Sequence, residues 1–284
     1  MLLLKRPPVR ILTATLALML LPSCRKLVLE DRMDCPGYLY FQMKDSRELR
    51  ENTAVRTDVF LFPEGVEGNT GTSSVGQLSD ADYYMKVKKA ETWTGYGLAG
   101  LFYCKSAGDG VWRVEKGQEW DPLFVFRFSV PGSMDEVRVP VEFTKEHSRV
   151  TVKFVNAEAL SGPGGRFPWE LVVRGGTSGY DAINGIPVKG DYFMRPMMTD
   201  EGTFEFILPR PADGDLFMEI HPRSGGSGGP IDTFNLYSLL ELVPHTSWAA
   251  KNLPDYYIEF DYVEAGFEIL LLDWYPQTDL YYEL

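Results

Sequence analysis

The strongest constraint on the fold is a two-residue alternation of apolar and polar side chains that recurs along the chain. Between residues 136 and 143, apolar side chains occupy every odd position, and Glu136, Arg138 and Glu142 lie between them. Successive side chains of a β-strand point to opposite faces, so this pattern predicts a strand with one face on a core. Related patterns predict strands at residues 38–43, 55–62, 93–103, 123–130, 149–155, 169–174, 203–208, 216–220, 256–262 and 267–274.

Helical periodicity is nearly missing from the chain. Only residues 234–243 space their apolar side chains as a short helix requires. The 19 Pro and 27 Gly residues are spread along the sequence, and many short strands separated by such residues are typical of sandwiches or barrels. We therefore predict an all-β protein with at most one or two short helices. Residues 64–80 and 221–226 carry no period and are predicted to be loops.

The domain organisation is predicted from length and from one interruption of the alternation. A chain of this length suits one large or two ordinary domains. A polar break at residues 144–148 interrupts the alternation, which restarts at residues 149–155. We predict an N-terminal domain over residues 37–146 and a C-terminal domain over residues 147–284.

The N-terminus has the order of a secretory signal. Lys5, Arg6 and Arg10 form a basic region, and the uncharged apolar run that follows spans residues 11–21. This run is 11 residues long, whereas a helix that crosses a hydrocarbon core needs about 20 residues. We therefore predict that residues 1–23 are a cleaved signal peptide.

The residues that close this leader resemble a bacterial lipoprotein box. The order is Leu21-Pro22-Ser23-Cys24, in which Pro22 replaces the small residue usual at that place. In such a box the cysteine is acylated and becomes the first mature residue, because a thiolate is a nucleophile that can form a thioether. We predict a covalent lipid on Cys24 and a tether over residues 24–36. The alternative is an ordinary cleaved signal with an incidental cysteine.

The mature chain is strongly acidic, which limits its partners. The sequence has 28 Lys and Arg against 40 Asp and Glu, and loss of the leader's three basic residues changes the formal net charge from −12 to −15. Such a chain is repelled by nucleic-acid phosphates and by anionic membranes, so the lipid has to provide the attachment. The acidic residues Glu30, Asp31 and Asp34 resemble the surface-export signals of bacterial lipoproteins, which are acidic close to the cysteine, although Arg25 and Lys26 directly follow Cys24; the resemblance implies an outer-surface location.

Two cysteines remain if Cys24 carries a lipid. Cys35 and Cys104 are an even pair in a compartment that permits disulfides, and they are a candidate disulfide. The alternative is two separate buried thiols.

Residues that could carry catalysis or bind a metal form no motif. The three histidines, His147, His221 and His245, have no ligand spacing. The segment 213–215 reads as a tight Asp-Gly turn, with a calcium loop as its alternative. We therefore predict no enzymatic activity, no metal, no cofactor and no small-molecule substrate.

Aromatic residues are the remaining candidates for ligand contact. The chain has 15 tyrosines and six tryptophans, namely Trp93, Trp112, Trp120, Trp169, Trp248 and Trp274. Exposed rings could stack on sugars, whereas the simpler interpretation is that they fill sandwich cores and cross-strand pairs.

Several segments together resemble one family. The C-terminal stretch 248–274 is similar to the ending of the fimbrial anchor-subunit lipoproteins associated with the fimbrillins of Bacteroides-type bacteria. Asp34-Cys35-Pro36 after the tether, Arg149-Val150-Thr151-Val152, and the segment from Ser178 to Pro187 fit the same pattern. The resemblance covers most of the mature chain and rests on the order of these segments together with the lipobox.

The resemblance implies two tandem transthyretin-like β-sandwiches held in the outer membrane by the lipid, with fimbrillin subunits as partners. Assembly in such fimbriae uses strand exchange, in which a donor strand satisfies an open sheet edge. The candidate partner strand lies near the C-terminus and includes Phe267, Ile269, Leu271 and Trp274. This strand either closes the protein's own second sandwich or contacts the next subunit. Two other functions stay open: a surface glycan-binding lipoprotein, and a fimbrial tip or accessory adhesin.

Overall fold

The computed structural model describes residues 35–44, 49, 56–63, 69–89, 92–155, 157, 167–200, 202–223, 229–243, 246–261 and 266–272, and the fold is given for these residues. Most of them lie in strands, as predicted. In chain order the strands are β1 (Pro36–Met43), β2 (Arg56–Pro63), β3 (Asn69–Ser74), β4 (Tyr84–Lys88), β5 (Thr92–Ala99), β6 (Lys105–Gly108), β7 (Val111–Arg113), β8 (Phe124–Pro131), β9 (Glu136–Val141), β10 (Thr144–Lys145), β11 (His147–Phe154), β12 (Trp169–Asp181), β13 (Ile186–Met194), β14 (Met198–Asp200), β15 (Thr203–Pro209), β16 (Leu216–Pro222), β17 (Asp232–Asn235), β18 (Asp255–Asp261) and β19 (Gly266–Leu272).

Two short helices accompany the strands: α1 (Val75–Leu78) and α2 (Leu236–Glu241). The prediction of a helix within residues 234–243 is confirmed. The Asn235 side chain accepts a hydrogen bond from the Ser238 backbone N–H at 2.8 Å, which caps α2 as an N-cap asparagine does. Among the described residues, no helix is both long and apolar enough to cross a membrane.

The first module consists of two packed sheets. A three-stranded sheet has the order β4-β1-β9, with β1 antiparallel to β4 and parallel to β9. A five-stranded sheet has the order β10-β8-β5-β2-β3. The alternating apolar positions of β1, β5, β8 and β9 meet between the sheets, and the buried residues there include Leu39, Phe41, Trp93, Phe126 and Val139.

The second module repeats this arrangement. One sheet has the order β14-β15-β11-β18-β19, in which β11 and β18 are parallel. The other has the order β17-β16-β12-β7-β6, and β13 pairs with β12. The core between them includes Val150, Phe154, Phe204, Met218 and Ile258. The tryptophans that the structure describes lie in or against the two cores, which confirms the simpler interpretation for them.

One hairpin from the first half of the sequence belongs to the second module. Strands β6 and β7 lie between β5 and β8 in the sequence, yet β7 pairs with β12 at residues 179–181. Cys104, Val114 and Trp120 from the same excursion are buried in the core of the second module. The predicted domain boundary between residues 146 and 147 therefore assigns residues 104–120 to the first domain, although part of this segment belongs to the second sandwich.

Two predicted loops differ from the structure. Within residues 64–80, the structure has β3 and α1 rather than a loop. Ser74 and Gln77 form a capping box, since the Ser74 hydroxyl accepts from the Gln77 N–H at 3.1 Å and the Gln77 side chain accepts from the Ser74 N–H at 2.8 Å. Within 221–226, His221 and Pro222 lie in β16, and residues 224–226 are outside the described residues.

The predicted strand at 93–103 ends earlier than expected. Strand β5 stops at Ala99, and Gly100 has a φ of +86° with its Cα facing the Pro122 carbonyl. A Cβ at position 100 would lie 2.1 Å from that carbonyl oxygen, so the chain turns here only because the residue is glycine.

Candidate partner-binding edge and inter-module junction

The predicted lipid attachment lies just outside the described part of the chain. Cys24 and residues 25–34 are not among the described residues, and the description begins at Cys35, next to β1. Ten residues lie between Cys24 and Cys35, so eleven Cα-to-Cα steps can span at most roughly 40 Å. Strand β1 is the middle strand of its sheet and pairs on both sides, with β4 and β9. A pull on Cys24 would therefore act on a strand held from two sides.

The candidate partner strand forms the last described element of the chain. Strand β19 runs antiparallel to β18, in a register that places Phe267, Ile269 and Leu271 opposite Phe260, Ile258 and Tyr256. Those three residues of β18 are buried. Trp274 lies outside the described residues. The structure thus brings three of the four predicted positions onto a strand that extends the protein's own second module.

Among the described residues, β19 has a neighbouring strand on one side only, so its outer edge is open. In the order β14-β15-β11-β18-β19, the terminal strands are β14, which has three residues, and β19, which has seven. The outer edge of a terminal strand presents N–H and C=O groups that an added strand can bind. Of these two edges, β19 offers the longer row.

The structure does not form the candidate disulfide. Cys35 and Cys104 are both free thiols. Cys35 precedes β1 in the first module, whereas Cys104 is buried in the core of the second module. The Cys104 backbone N–H donates to the buried Asp121 carboxylate at 2.7 Å, which holds this segment in place. Burial first, and then the Asp121 charge, raise the pKa of the Cys104 thiol, so this sulfur is poorly reactive.

The polar break between the two modules is buried rather than exposed. Lys145 is 0% exposed, and its Nζ donates to Asp255 Oδ1 at 2.7 Å. The same carboxylate oxygen accepts a bond from the Arg149 backbone N–H at 2.6 Å. The Lys145 backbone N–H donates to Asn252 Oδ1 at 2.9 Å, and its carbonyl accepts from the Leu253 N–H at 3.1 Å. The strand β10 is thereby fixed to residues about 110 positions later.

The neighbouring Glu146 forms a second buried ion pair. Its Oε2 accepts from Arg210 Nε at 2.5 Å, and both side chains are largely buried. The Arg210 guanidinium also donates to the Trp248 carbonyl, and the Thr144 hydroxyl donates to Glu146 Oε1 at 3.0 Å. We call Lys145, Glu146, His147, Arg210 and Asp255 the junction.

The junction also contains a buried histidine. His147 Nδ1 lies 3.1 Å from the Leu123 carbonyl, and its ring packs edge-on against Phe124 at a centroid distance of 5.0 Å. Burial and then the charge of Lys145 lower the pKa of His147 to about 3. The imidazole is therefore neutral at physiological pH and acts as a packed donor to a backbone carbonyl.

The described residues offer no arrangement suited to metal binding. No group of three or more His, Cys, Asp or Glu side chains converges among them. At the predicted Asp-Gly turn, Lys189 Nζ lies 3.0 Å from Asp213 Oδ2, and this contact lowers the pKa of the carboxyl. The carboxylate thus has a lysine as its counter-ion.

Sequence reasoning missed the junction because its charged residues were interpreted only as a polar break that marks a domain boundary. The partners that bury them, Arg210 and Asp255, lie 64 and 110 residues away from Glu146 and Lys145. The sequence feature that could have indicated a buried junction is the close spacing of Lys145, Glu146 and His147 directly before the alternating pattern of residues 149–155.

Comparison with solved structures shows that several proteins of Bacteroides and Porphyromonas species share this fold. A Bacteroides thetaiotaomicron protein proposed to bind polysaccharide matches with a TM-score of 0.60 and 13% identity, covering 84% of this chain and 96% of that chain. The fimbrial anchor protein Mfa2 from Porphyromonas gingivalis matches with a TM-score of 0.59 and 14% identity, covering 84% and 98%. The chain has the fold of a fimbrial anchor protein.

A third structure extends the same group. A Bacteroides ovatus protein proposed to be an adhesin matches with a TM-score of 0.59 and 13% identity, over 88% of this chain and 96% of that chain. No family model matches the sequence, and no curated protein matches it either. The resemblance to fimbrial anchor subunits is therefore confirmed at the level of fold, and the tandem β-sandwich prediction is confirmed with it.

Proposed function

We propose that this protein is a lipid-anchored structural subunit that attaches fimbriae to the outer membrane and contacts the first fimbrillin subunit. The observation that carries the proposal is the match to the fimbrial anchor Mfa2, which covers 98% of that chain. The lipobox at Cys24 supplies the membrane attachment that such a role needs. The protein acts through backbone edges and a lipid, without enzymatic chemistry.

The positions of the two ends support this division of tasks. The lipid-bearing tether leads into β1 of the first module, whereas the open edge of β19 belongs to the second module. The junction between them fixes β10 to residues 252–255 by hydrogen bonds and an ion pair. Tension on a fimbrium would thus pass from one module to the other through buried contacts.

Strand addition at β19 is the proposed mode of partner contact. An extended fimbrillin segment would pair with the open side of β19, where main-chain hydrogen bonds give affinity and alternate side chains give specificity. In this arrangement β19 closes its own sheet on one side and receives the partner on the other. The lipid and the acidic tether place the protein at the outer surface of the outer membrane.

The anchor role is tested by Cys24→Ala in cells that make fimbriae. We expect loss of the protein from the outer-membrane fraction and release of fimbriae into the medium, because no acyl chains hold the base. Cys35→Ala is the matched control, since Cys35 is a nearby cysteine that is not the predicted lipid site, and it should keep both attached. Fimbriae that stay on Cys24→Ala cells would contradict the proposal.

The partner edge is tested by photo-crosslinking. A crosslinking amino acid in place of Leu270 on β19 should capture a fimbrillin, identified by mass spectrometry. The same amino acid in place of Ser106, which is exposed on the edge strand β6, should not. Equal capture from both positions, or capture from position 106 alone, would contradict contact at β19.

A further inference from the structure

An open cleft lies on the outer face of the second module, away from β19. Its volume is about 660 Å³, and residues of β12, β13 and β16 line it. The proposed anchor role uses none of these residues. The cleft combines exposed rings, guanidinium groups and carboxylates in one concave surface.

Three side chains form a row across adjacent strands of this face. Arg174 on β12 lies opposite Phe217 on β16 and opposite Phe193 on β13. Directly opposed residues of neighbouring strands share a sheet face, so the three residues lie on one face with Arg174 in the middle position. The Arg174 Cζ is 5.9 Å from the centroid of Phe217, within the range of a cation–π contact. Phe193 is 38% exposed and leaves much of its surface to solvent.

A buried carboxylate holds the arginine of this row in place. Glu219 is only 6% exposed although it lies on the outer face of the sheet. Its Oε1 accepts from Arg174 Nε at 2.6 Å, and its Oε2 lies 2.9 Å from His221 Nε2. Glu219 thus fixes both the guanidinium and the imidazole, while half of the Arg174 side chain stays exposed. A surface cation positioned in this way can donate hydrogen bonds to a ligand at low entropic cost.

The rim of the cleft adds groups of both charges. Asp191 and Arg195 flank Phe193 on β13, and Asp215 lies at the start of β16; all three are exposed. Carboxylates accept hydrogen bonds from pairs of hydroxyl groups, and guanidinium groups donate to hydroxyl and ring oxygens. An aromatic ring beside them provides an apolar face for C–H groups.

We propose that this cleft binds a neutral saccharide, with Phe193 as the stacking ring and Arg174 and Asp191 as hydrogen-bonding groups. A sugar ring carries both an apolar C–H face and a rim of hydroxyls, and this cleft offers a partner for each. The binding site is independent of the lipid and of the β19 edge.

A neutral ligand suits the charge of the site better than an anionic one. Asp191, Asp215 and Glu219 balance the cations Arg174, Arg195 and Lys116, since Lys116 Nζ lies 3.4 Å from Asp191 Oδ2 and Arg174 is paired with Glu219, so the site offers a polyanion no net positive charge. The mature chain also carries a formal charge of −15 once the leader's three basic residues are removed from the −12 of the full sequence. Both features oppose a polyanion.

The test is affinity electrophoresis of the purified full-length protein, kept in a detergent without a sugar head group. Native gels contain dextran, yeast mannan or the anionic comparator polygalacturonate. We expect at least one neutral polymer to slow the protein, and Phe193→Ala to weaken that interaction about tenfold, or about 1.4 kcal/mol, because the stacking ring is lost. Phe102→Ala is the matched control, because Phe102 is 74% exposed and outside the cleft.

Three results would overturn the saccharide site: no retardation by either neutral polymer, unchanged retardation of Phe193→Ala, or stronger retardation by polygalacturonate. Far-ultraviolet circular dichroism checks that the Phe193→Ala protein is folded. Fimbriae should remain attached to Phe193→Ala cells, so failure of the saccharide site and failure of the anchor role give different results.

Discussion

Two clusters of charged residues in this protein each contain a glutamate–arginine ion pair, and the two pairs differ in how far the arginine is exposed to solvent. At the junction, Glu146 pairs with Arg210, whose guanidinium also donates to the Trp248 carbonyl, and both side chains are largely buried. In the cleft, Glu219 pairs with Arg174, whose side chain is half exposed. A buried glutamate thus orients an arginine in both places, but only one arginine keeps donors for a ligand.

The difference separates a structural role from a binding role. Charges buried on all sides need complete pairing, and removing one partner leaves the other in a low-dielectric site. Charges that are half exposed retain solvation, so their removal costs little stability and changes mainly what the surface can bind. We therefore expect junction variants to change stability and cleft variants to change ligand affinity.

The largest expected effect is that of Lys145→Ala. Loss of the buried ammonium leaves Asp255, which is about a quarter exposed, without its nearest cation, and should lower the free energy of unfolding by about 3 kcal/mol. Urea denaturation measures the change. Lys105→Ala is the matched control, since Lys105 pairs with Glu115 at 2.5 Å while both side chains are mostly exposed; it should cost under about 1 kcal/mol. Equal losses of unfolding free energy for Lys145→Ala and Lys105→Ala would contradict the proposed difference between buried and exposed ion pairs.

The second effect is a loss of stability in acid that depends on His147. Its pKa is about 3 in the folded protein and about 6.5 when unfolded, so the unfolded chain takes up a proton first as the pH falls. The stability contribution is complete above pH 6.5 and declines towards pH 3, by roughly 2.5 kcal/mol between pH 6.5 and 4.5.

Urea denaturation of the native sequence and of His147→Asn at pH 4.5, 5.5 and 6.5 isolates the contribution of His147 to the pH dependence of stability. Asparagine keeps a donor for the Leu123 carbonyl and does not titrate, so its stability should fall less steeply with pH. Parallel pH dependences for the two proteins would show that His147 is not held neutral by burial. Other carboxyl groups contribute equally to both curves and cancel in the difference.

A smaller change in stability is expected in the cleft than at the junction. Arg174→Ala should cost about 1 kcal/mol, because the pair is half exposed and Glu219 keeps its contact with His221. Retardation by the neutral polymer should nevertheless weaken about tenfold, whereas Lys145→Ala at neutral pH should leave retardation unchanged. A loss of about 3 kcal/mol of unfolding free energy for Arg174→Ala would show instead that this arginine has a structural role like that of the junction residues.

The strands with an alternating pattern and α2 could be predicted because their patterns are local, whereas strands without it, such as β4 and β13, were not predicted. The alternation that predicts residues 149–155 follows from the pleat alone, and the structure places β11 there. The helical spacing of apolar side chains over residues 234–243 likewise predicts α2. By contrast β3, with small polar residues at a sheet edge, has no apolar face to reveal it.

The junction and the cleft could not be predicted, because both depend on register between distant segments. The row of Phe217, Arg174 and Phe193 joins three strands whose pairing is absent from any local pattern. Sequence reasoning considered the tryptophans as sugar-stacking candidates, yet those that the structure describes lie in or against the cores, and the exposed ring in the cleft is a phenylalanine. Burial of Lys145 likewise depends on Asp255, 110 residues later.

Mass spectrometry of the mature N-terminus tests the proposed anchor most directly. The protein is purified from outer membranes in detergent and digested, and the N-terminal peptide is sequenced. The proposed anchor predicts a peptide that begins at Cys24 and carries acyl chains on that residue. A mature peptide that begins elsewhere, or one with an unmodified Cys24 thiol, would contradict it.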